Sequence, residues 1–180
     1  PMPEDFALPS RDRIRARGVS FNHHHCTTTV CTPSRSVMYT GQHTSHTRMF
    51  DNTNFAWIDD MKADPNTLPT IGHMLRDLGY HTVYKGKWHL SEFPAEGSRE
   101  AMEPYGFSEY QDWGDAIGGP MDGLSKDPKT SDEAVDWLTK RAPEVATTQP
   151  WFMTVNFVNP HDVMFFDTDA EEMVQVKGLF

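Results

Sequence analysis

The sequence predicts an α/β domain, with a mostly parallel sheet flanked by helices. Helix-like and strand-like segments alternate in the second half of the chain, which is the pattern of α/β proteins. The apolar run at 151–158 has the composition of a strand buried on both faces, as in parallel sheets. Chemistry-bearing side chains follow the two best strand candidates, where open α/β sheets place their functional sites.

Four segments are predicted before the first clear strand. They are a helix at 11–17, a strand at 19–21, a helix from Pro33 to about Tyr39 and a loop-rich stretch at 42–66. Gly18 and Gly41 are placed to end the two helices, since glycine readily adopts the left-handed conformation found there. Pro33 suits the first turn of the second helix, because the N–H that it lacks would be unpaired there anyway.

The clearest helix–strand unit lies at 69–86. Pro69 can open a helix in which four apolar residues recur with helical spacing before Gly79 ends it. These four residues are Ile71, Met74, Leu75 and Leu78. The β-branched and aromatic residues at 80–85 then predict a strand that ends at Gly86.

The last third of the chain predicts a loop-rich surface excursion, a helix and a strand. Residues 92–129 are rich in proline and glycine, which predicts the excursion. Thr130 and Glu133 have the spacing of a capping box, so a helix is expected from there to about Ala142. Its inward-facing residues are expected to be Ala134, Trp137, Leu138 and the stem of Arg141. The strand at 151–158 follows.

The charge balance narrows the range of partners. Sixteen basic and 26 acidic residues give a net charge of −10, which argues against general nucleic-acid binding because phosphate backbones are bound by basic surfaces. A locally positive site within an acidic protein can still bind a small anion. No apolar run approaches the length of a transmembrane helix, so no membrane span is expected.

The first candidate site residues are Cys31 and Arg35. A cysteine next to a proline-initiated helix lies at the positive end of the helix dipole, near unpaired N–H groups. Arg35 is one helical turn further on and therefore lies on the same side of the helix. This pattern fits an anion-sized site with a modifiable side chain, and it equally fits a small helix-capping residue with a solvated arginine.

The other candidates follow the two strands. In an extended segment Lys87 and His89 point to the same side, so their side chains could converge on one anionic ligand. An exposed polar pair at a strand end has the same pattern. His161, with Asp162 beside it, follows Pro160, whose ring restricts the local backbone. A loop histidine without a special role would look the same.

The residues His23, His24, His25 and Cys26 suggest zinc at first sight. Consecutive side chains cannot all face one metal in regular structure, and no standard zinc spacing is present. A disulfide bond between Cys26 and Cys31 would close only a small loop. Zinc binding and this disulfide are therefore the less favoured readings of these residues.

Two longer stretches resemble the signatures of the sulfatase family. Residues 30–41, Val-Cys-Thr-Pro-Ser-Arg-Ser-Val-Met-Tyr-Thr-Gly, resemble the first signature, Cys-x-Pro-Ser-Arg ending in Thr-Gly. Residues 79–89, Gly-Tyr-His-Thr-Val-Tyr-Lys-Gly-Lys-Trp-His, resemble the second, Gly-Tyr-x-Thr followed by Gly-Lys-Trp-His. Residues 8–21 are similar to the segment before the first signature. The resemblance implies that 1–180 is part of the N-terminal catalytic α/β domain of an alkaline-phosphatase-like sulfatase core.

The resemblance also implies a chemistry, the hydrolysis of small-molecule sulfate esters. A formylglycine-generating or other sulfatase-maturing enzyme would convert Cys31 to formylglycine, which would act as nucleophile and metal ligand. Arg35 would orient the hydrated aldehyde, and Lys87 would bind the sulfate. His89 would accept a proton, and His161 would contact the substrate and protonate the leaving alcohol. A calcium or magnesium ion would activate the hydrate and polarise the sulfate.

Some features depart from the family pattern. Family members carry paired aspartates on a first strand and a later Asp-Asn pair that bind the cation, and neither is found here. The chain is therefore expected to be incomplete and, by itself, inactive. Milder departures are at Thr29, Tyr39 and Lys85. The compartment, cytoplasmic or periplasmic and secreted, is left open.

Three rival interpretations remain at this point. A phosphonate monoester hydrolase or phosphodiesterase of the same superfamily would share Cys31, Arg35, Lys87 and His89. A non-catalytic binding or regulatory protein could retain the pocket without the metal. A zinc-binding module is the third.

Overall fold

A computed structural model describes residues 7–53, 68–92 and 97–165. Its α-helices are α1 (Pro9–Arg15), α2 (Cys31–Thr40), α3 (Thr44–Thr47), α4 (Ile71–Asp77), α5 (Asp122–Asp136) and α6 (Ala142–Val145), with a π-helical segment (Trp137–Arg141) joining the last two. Its strands are β1 (His81–Gly86) and β2 (Trp151–Asn156), and 3-10 helices lie at Glu103–Tyr105 and His161–Phe165. Within these ranges, no helix combines the length and apolar character that a membrane span requires.

The sheet confirms the predicted α/β fold. β1 and β2 pair in parallel, in a register that sets His81 opposite Trp151 and Gly86 opposite Asn156. The chain between them contains α5 and α6, as expected for a crossover between parallel strands. Because the strands are parallel, both carboxyl ends lie at one edge. The residues after Gly86 and after Asn156 are therefore neighbours.

An aromatic cluster forms the larger part of the core. Trp88 and Tyr84 are fully buried, and their ring centroids lie 5.4 Å apart in an edge-to-face arrangement. Tyr39 of α2 packs 5.2 Å from Trp88, so the helix that carries Cys31 is fixed against the segment that follows β1. Other members of this cluster are Met49, Leu90, Met102, Tyr105, Phe107 and Tyr110. Aromatic pairs at these separations stabilise beyond the area that they bury.

Residues 97–129 differ from the surface excursion expected at 92–129. Their fully buried side chains include Met102, Phe107 and Tyr110. Ser108 also bridges to β1, donating its N–H to the Thr82 carbonyl at 2.8 Å. The prolines and glycines correctly indicate turns, but burial is decided by the apolar side chains between the turns. Residues 93–96, like 54–66 of the predicted loop, lie outside the described residues.

The predicted start of the long helix at Thr130 is wrong. α5 begins at Asp122, so Thr130 is a buried residue in its interior, and Pro128 lies within the helix. Contacts to the segment after β2 hold this first part in place: Asp127 accepts the Val158 N–H at 2.6 Å. Such contacts outweigh the unfavourable local effect of a proline. Ala134 and Trp137 face inward as predicted, whereas Leu138 and Arg141 are exposed.

Two apolar segments are less buried than their composition suggests. On α4, Ile71, Met74 and Leu78 are exposed, because the helix packs through Gly72, where an added Cβ would lie 2.4 Å from the Gly106 carbonyl oxygen. β2 was expected to be buried on both faces, yet its residues are exposed or half-buried. Its sheet has β1 as the only paired strand among the described residues, so fewer neighbours cover it.

The predicted strand at 19–21 is not formed. Val19 and Phe21 are about four-fifths exposed, at 81% and 78%, and pair with no strand in the described ranges. A β-branched and aromatic composition favours a strand only where a partner is present. The preceding helix is confirmed, although α1 begins two residues earlier than predicted and ends at Arg15.

Candidate active site

Cys31 is the first residue of α2, and was expected just ahead of it. Val30 is the N-cap, with an extended backbone, and Gly41 ends the helix with a φ of 67°. Pro33 is thus the third helical residue, still in the first turn, where its missing N–H costs no hydrogen bond. The thiol lies at the positive end of the helix dipole. Cys31 is half-buried and makes no disulfide bond with Cys26.

Two groups from other segments complete the start of α2. The Thr32 N–H donates to Oδ1 of Asn52 at 3.0 Å, which satisfies one of the free amides of the first turn. The Thr32 hydroxyl donates to the carbonyl of His89 at 2.8 Å. The helix start is therefore tied directly to the segment after β1.

Arg35 joins α2 to the carboxyl ends of both strands. Its Nη1 donates to the Lys87 carbonyl oxygen at 2.8 Å and lies 3.5 Å from Oδ1 of Asn156. Oδ1 of Asn156 also accepts from the Tyr39 hydroxyl at 3.0 Å, and the Tyr84 hydroxyl donates to the Lys87 carbonyl at 2.7 Å. The guanidinium is therefore held by several contacts and does not behave as a solvated surface group.

The Lys87 ammonium faces Cys31. Its Nζ lies 3.9 Å from the Cys31 Sγ, and only 2% of the residue is exposed. Burial lowers the pKa of Lys87, the nearby Cys31 raises it, and the Arg35 charge lowers it further. A buried ammonium, a thiol and a guanidinium therefore lie together in this corner of the site, with the Asp115 charge near enough to raise the pKa of Lys87.

His89 lies in the same site, but not by the route that the sequence suggested. Its φ of 54° shows that 87–89 is not an extended segment, so alternation does not explain the shared orientation. Neither ring nitrogen has a hydrogen-bond partner among the described residues, although both are buried. Burial, with the nearby charges of Lys87 and Arg35, lowers the pKa of His89 to about 3. The imidazole is therefore neutral at physiological pH and able to accept a proton.

His161 approaches from the other strand. It begins the 3-10 helix after β2, and its ring packs on Gly118, where an added Cβ would lie 2.9 Å from Cδ2. Burial lowers the pKa of His161, and the Lys87 charge contributes in the same direction. His161 in turn contributes to the lowered pKa of His89. All five predicted site residues thus lie in one region, and their catalytic roles remain predictions.

Three polar residues of this region were missed by the sequence analysis. Asp115 accepts the N–H groups of Trp88 and His89, at 2.8 and 2.7 Å. Asn156 and Asn52 make the contacts described above. Asn156 could have been found, since it ends the second strand at the edge where α/β sites form. Asp115 and Asn52 stand in segments without regular pattern, and no sequence signal indicated them.

The remaining candidate ligands do not form a metal centre. His23, His24, His25 and Cys26 are all exposed. In the ranges that the structure describes, no group of three or more His, Cys, Asp or Glu side chains is arranged to hold a metal ion. Lys85, a departure from the family pattern, is buried and pairs with Glu133 at 2.7 Å.

Comparison with known proteins agrees with the motifs. The sulfatase family model matches residues 3–178, nearly the whole chain, and the chain belongs to the sulfatase family. It is similar to the choline-sulfatase of Rhizobium meliloti, with 24% identity over 89% of this chain and 35% of the relative. It is also similar to the uncharacterized sulfatase YidJ of Escherichia coli, with 34% identity over 49% of this chain and 16% of the relative.

A further relative is the N-acetylgalactosamine-6-O-sulfatase of Bacteroides thetaiotaomicron, with 32% identity over 51% of this chain and 17% of the relative. The chain therefore spans about a third or less of the length of these relatives.

Proposed function

We propose that the protein carrying this chain hydrolyses sulfate esters, with Cys31 as the precursor of a formylglycine nucleophile. The observation that carries the proposal is the Lys87 ammonium, buried and 3.9 Å from the Cys31 Sγ. A fixed guanidinium and two neighbouring histidines share the region. This set of groups suits a singly charged tetrahedral ester, because a desolvated cation stabilises the charge that builds up on its oxygens.

The residues around Cys31 fit a formylglycine. The side chain begins α2, faces Lys87 and is half-buried, which leaves room for a substrate to approach. The hydrated aldehyde would supply one hydroxyl group to attack sulfur and a second whose deprotonation releases sulfate. His89 supports a formylglycine at Cys31, because no described residue engages its buried ring nitrogens and one of them is free to accept a proton from the hydrated aldehyde.

Each other residue has a role that its surroundings support. Lys87 binds the sulfate oxygens, and Arg35 orients the Cys31 side of the site. His89, neutral because its pKa is lowered to about 3, accepts the proton that is lost when sulfate leaves. His161 donates a proton to the departing alcohol oxygen. The Lys87 charge helps to lower the pKa of His161, and a bound sulfate would offset that charge and so favour the protonated acid.

A divalent cation, calcium or magnesium, belongs to the proposal as well. The described residues contain no cluster that would hold it, so none of the steps above depends on it. The substrate is proposed to be a small-molecule sulfate ester, and a sulfatase-maturing enzyme is the proposed partner during synthesis. Loss of turnover after chelation, restored by adding calcium or magnesium, would support the cation requirement.

The test combines mass spectrometry with turnover. The full-length protein is produced with a formylglycine-generating enzyme, and the peptide containing Cys31 is analysed. We expect an aldehyde at Cys31 and hydrolysis of an aryl sulfate, with Cys31→Ala as the inactive control. Only unmodified cysteine under these conditions, together with no turnover, would contradict the proposal. Comparison with a matched phosphodiester and a phosphonate monoester separates a sulfatase from the related hydrolases.

A further inference from the structure

One carboxylate from a distant part of the chain holds the backbone at His89. Oδ1 of Asp115 accepts the Trp88 N–H at 2.8 Å, and Oδ2 accepts the His89 N–H at 2.7 Å. The Tyr110 hydroxyl, which donates to the Gly86 carbonyl at 3.0 Å, also lies 3.4 Å from Oδ1. Both oxygens are therefore engaged by consecutive amides, in hydrogen bonds of the short, charge-assisted kind.

His89 needs such support because of its backbone conformation. Its φ of 54° is in the left-handed region, which non-glycine residues rarely adopt without surrounding constraints. Asp115 fixes the amide that precedes the Cα, and the Thr32 hydroxyl fixes the carbonyl that follows it, at 2.8 Å. The ring itself makes no hydrogen bond with a described residue. Its position thus depends on the backbone that carries it.

Lys87 is held by different groups. Its N–H donates to the Asn156 carbonyl at 2.9 Å, continuing the pairing of the sheet. Its carbonyl accepts from Arg35 at 2.8 Å and from Tyr84 at 2.7 Å. The contacts of Asp115 therefore begin one residue later. A change at Asp115 should therefore disturb the backbone of His89, whereas the backbone of Lys87 keeps its own hydrogen bonds.

We propose that Asp115 is a positioning residue that fixes His89 in its left-handed conformation and so keeps the imidazole aimed into the site. This inference rests on the proposed function, because it assigns to His89 the proton transfer of that reaction. Asp115 itself has no assigned contact with Cys31. Its carboxylate positions His89 through the two amides that it binds, and its charge also raises the pKa of Lys87.

The principal variant is Asp115→Asn, which keeps the shape of the side chain but offers only one oxygen to the two amides. The matched control is Glu133→Gln. Glu133 also accepts two side-chain hydrogen bonds, from Lys85 at 2.7 Å and from Trp113 at 2.9 Å, but away from the Cys31 region. Both variants are made in the full-length protein, and unfolding temperatures are measured with turnover.

We expect Asp115→Asn to lower kcat by about 10-fold or more while KM changes by less than about threefold, since the backbone of Lys87 is held by Asn156, Arg35 and Tyr84. Glu133→Gln should leave kcat within about threefold of the parent. In a His89→Ala background, adding Asp115→Asn should lower kcat by less than about threefold, because the residue through which it acts is gone. An equal loss in both backgrounds, or no loss in the parent, would overturn the proposal.

Hydrogen exchange supplies a readout that does not need turnover. In the parent protein the amides of Trp88 and His89 should be strongly protected, and Asp115→Asn should speed their exchange while that of Lys87 is unchanged. Rapid exchange of both amides in the parent would overturn the proposal even if the variants do not fold. Absence of sulfate-ester turnover in the parent would instead contradict the proposed function, and exchange would then decide whether Asp115 holds this backbone.

Discussion

Two buried lysines, two residues apart in the sequence, illustrate how the site is built at the scale of residues. Lys85 and Lys87 are each about 2% exposed, yet they point to different environments. Lys85 forms an ion pair with Glu133 at 2.7 Å, whereas Lys87 has the Cys31 Sγ at 3.9 Å and forms no ion pair within the part of the chain that the structure describes. A buried cation without a directly paired carboxylate is costly, and a group of this kind is a candidate for a functional site.

This difference predicts that replacing lysine with methionine has different effects at the two positions. Lys87→Met should lower kcat/KM for sulfate esters by roughly 100-fold or more, because it removes a desolvated charge from the transition state. Lys85→Met should leave kcat/KM within about threefold and act mainly on stability, since it leaves Glu133 without its ion-pair partner. Steady-state kinetics on both variants, with unfolding temperatures, check this. Similar losses of kcat/KM in the two variants would place Lys87 outside the site.

Recognition of individual site residues from sequence depended on local motifs. Cys31, Arg35, Lys87 and His89 stand in two short signatures, so their proximity could be predicted. The reason given for Lys87 and His89 was wrong, because a left-handed residue replaces the extended geometry. Asp115 could not be predicted, since its two amide partners are 26 and 27 residues away in sequence. Only tertiary packing brings the carboxylate to them.

At the scale of elements, the ends of the two strands position the site. Gly86 ends β1 opposite Asn156, with a φ of 89°. A Cβ at this position would lie only 1.9 Å from the Asn156 carbonyl oxygen. That oxygen also accepts the Lys87 N–H, so the glycine allows the sheet to pair closely up to Lys87.

Replacing Gly86 should therefore be much more harmful than replacing another left-handed glycine. Gly86→Ala should reduce the free energy of unfolding by roughly 3 kcal/mol or more, because the backbones of the paired strands must separate. Gly79→Ala is the control: its φ is 84°, but no atom lies within 4 Å of the added Cβ, so about 1 kcal/mol is expected. Urea denaturation of both variants measures the difference. Equal destabilisation would contradict the close approach.

The elements themselves were only partly predictable. The helix–strand order and the parallel pairing of β1 with β2 follow from the hydrophobic pattern. The start of α5 was missed because Pro128 argues locally against a helix, while the bonds of Asp127 to the Val158 and Asn159 amides stabilise it. Burial of β2 was overestimated, because an apolar run does not reveal which neighbours cover it.

At the scale of the whole molecule, the electrostatics around Cys31 depend more on where the charges lie than on the net charge. The chain carries a net charge of −10, yet Arg35 and Lys87 stand together beside Cys31. These charges contribute, after burial, to the lowered pKa of His89. An acidic protein thus brings two basic side chains together beside Cys31, and the neutral state of one histidine links this region to global stability.

The linkage predicts that acid destabilises the protein partly through His89. The unfolded chain binds a proton at this residue below its ordinary pKa of 6.5, whereas the folded protein does not bind it until about pH 3. The contribution of neutral His89 to the free energy of unfolding is therefore complete above pH 6.5, and it is lost progressively as the pH falls toward 3. Each pH unit in this window corresponds to at most about 1.4 kcal/mol.

His89→Gln, which cannot be protonated, should show a smaller decrease in unfolding free energy between about pH 7 and about pH 4.5. Denaturant titrations across this range measure it, with His24→Gln at an exposed position as the control for losing a histidine. An unchanged pH dependence in His89→Gln would show that His89 is not held neutral in the folded protein.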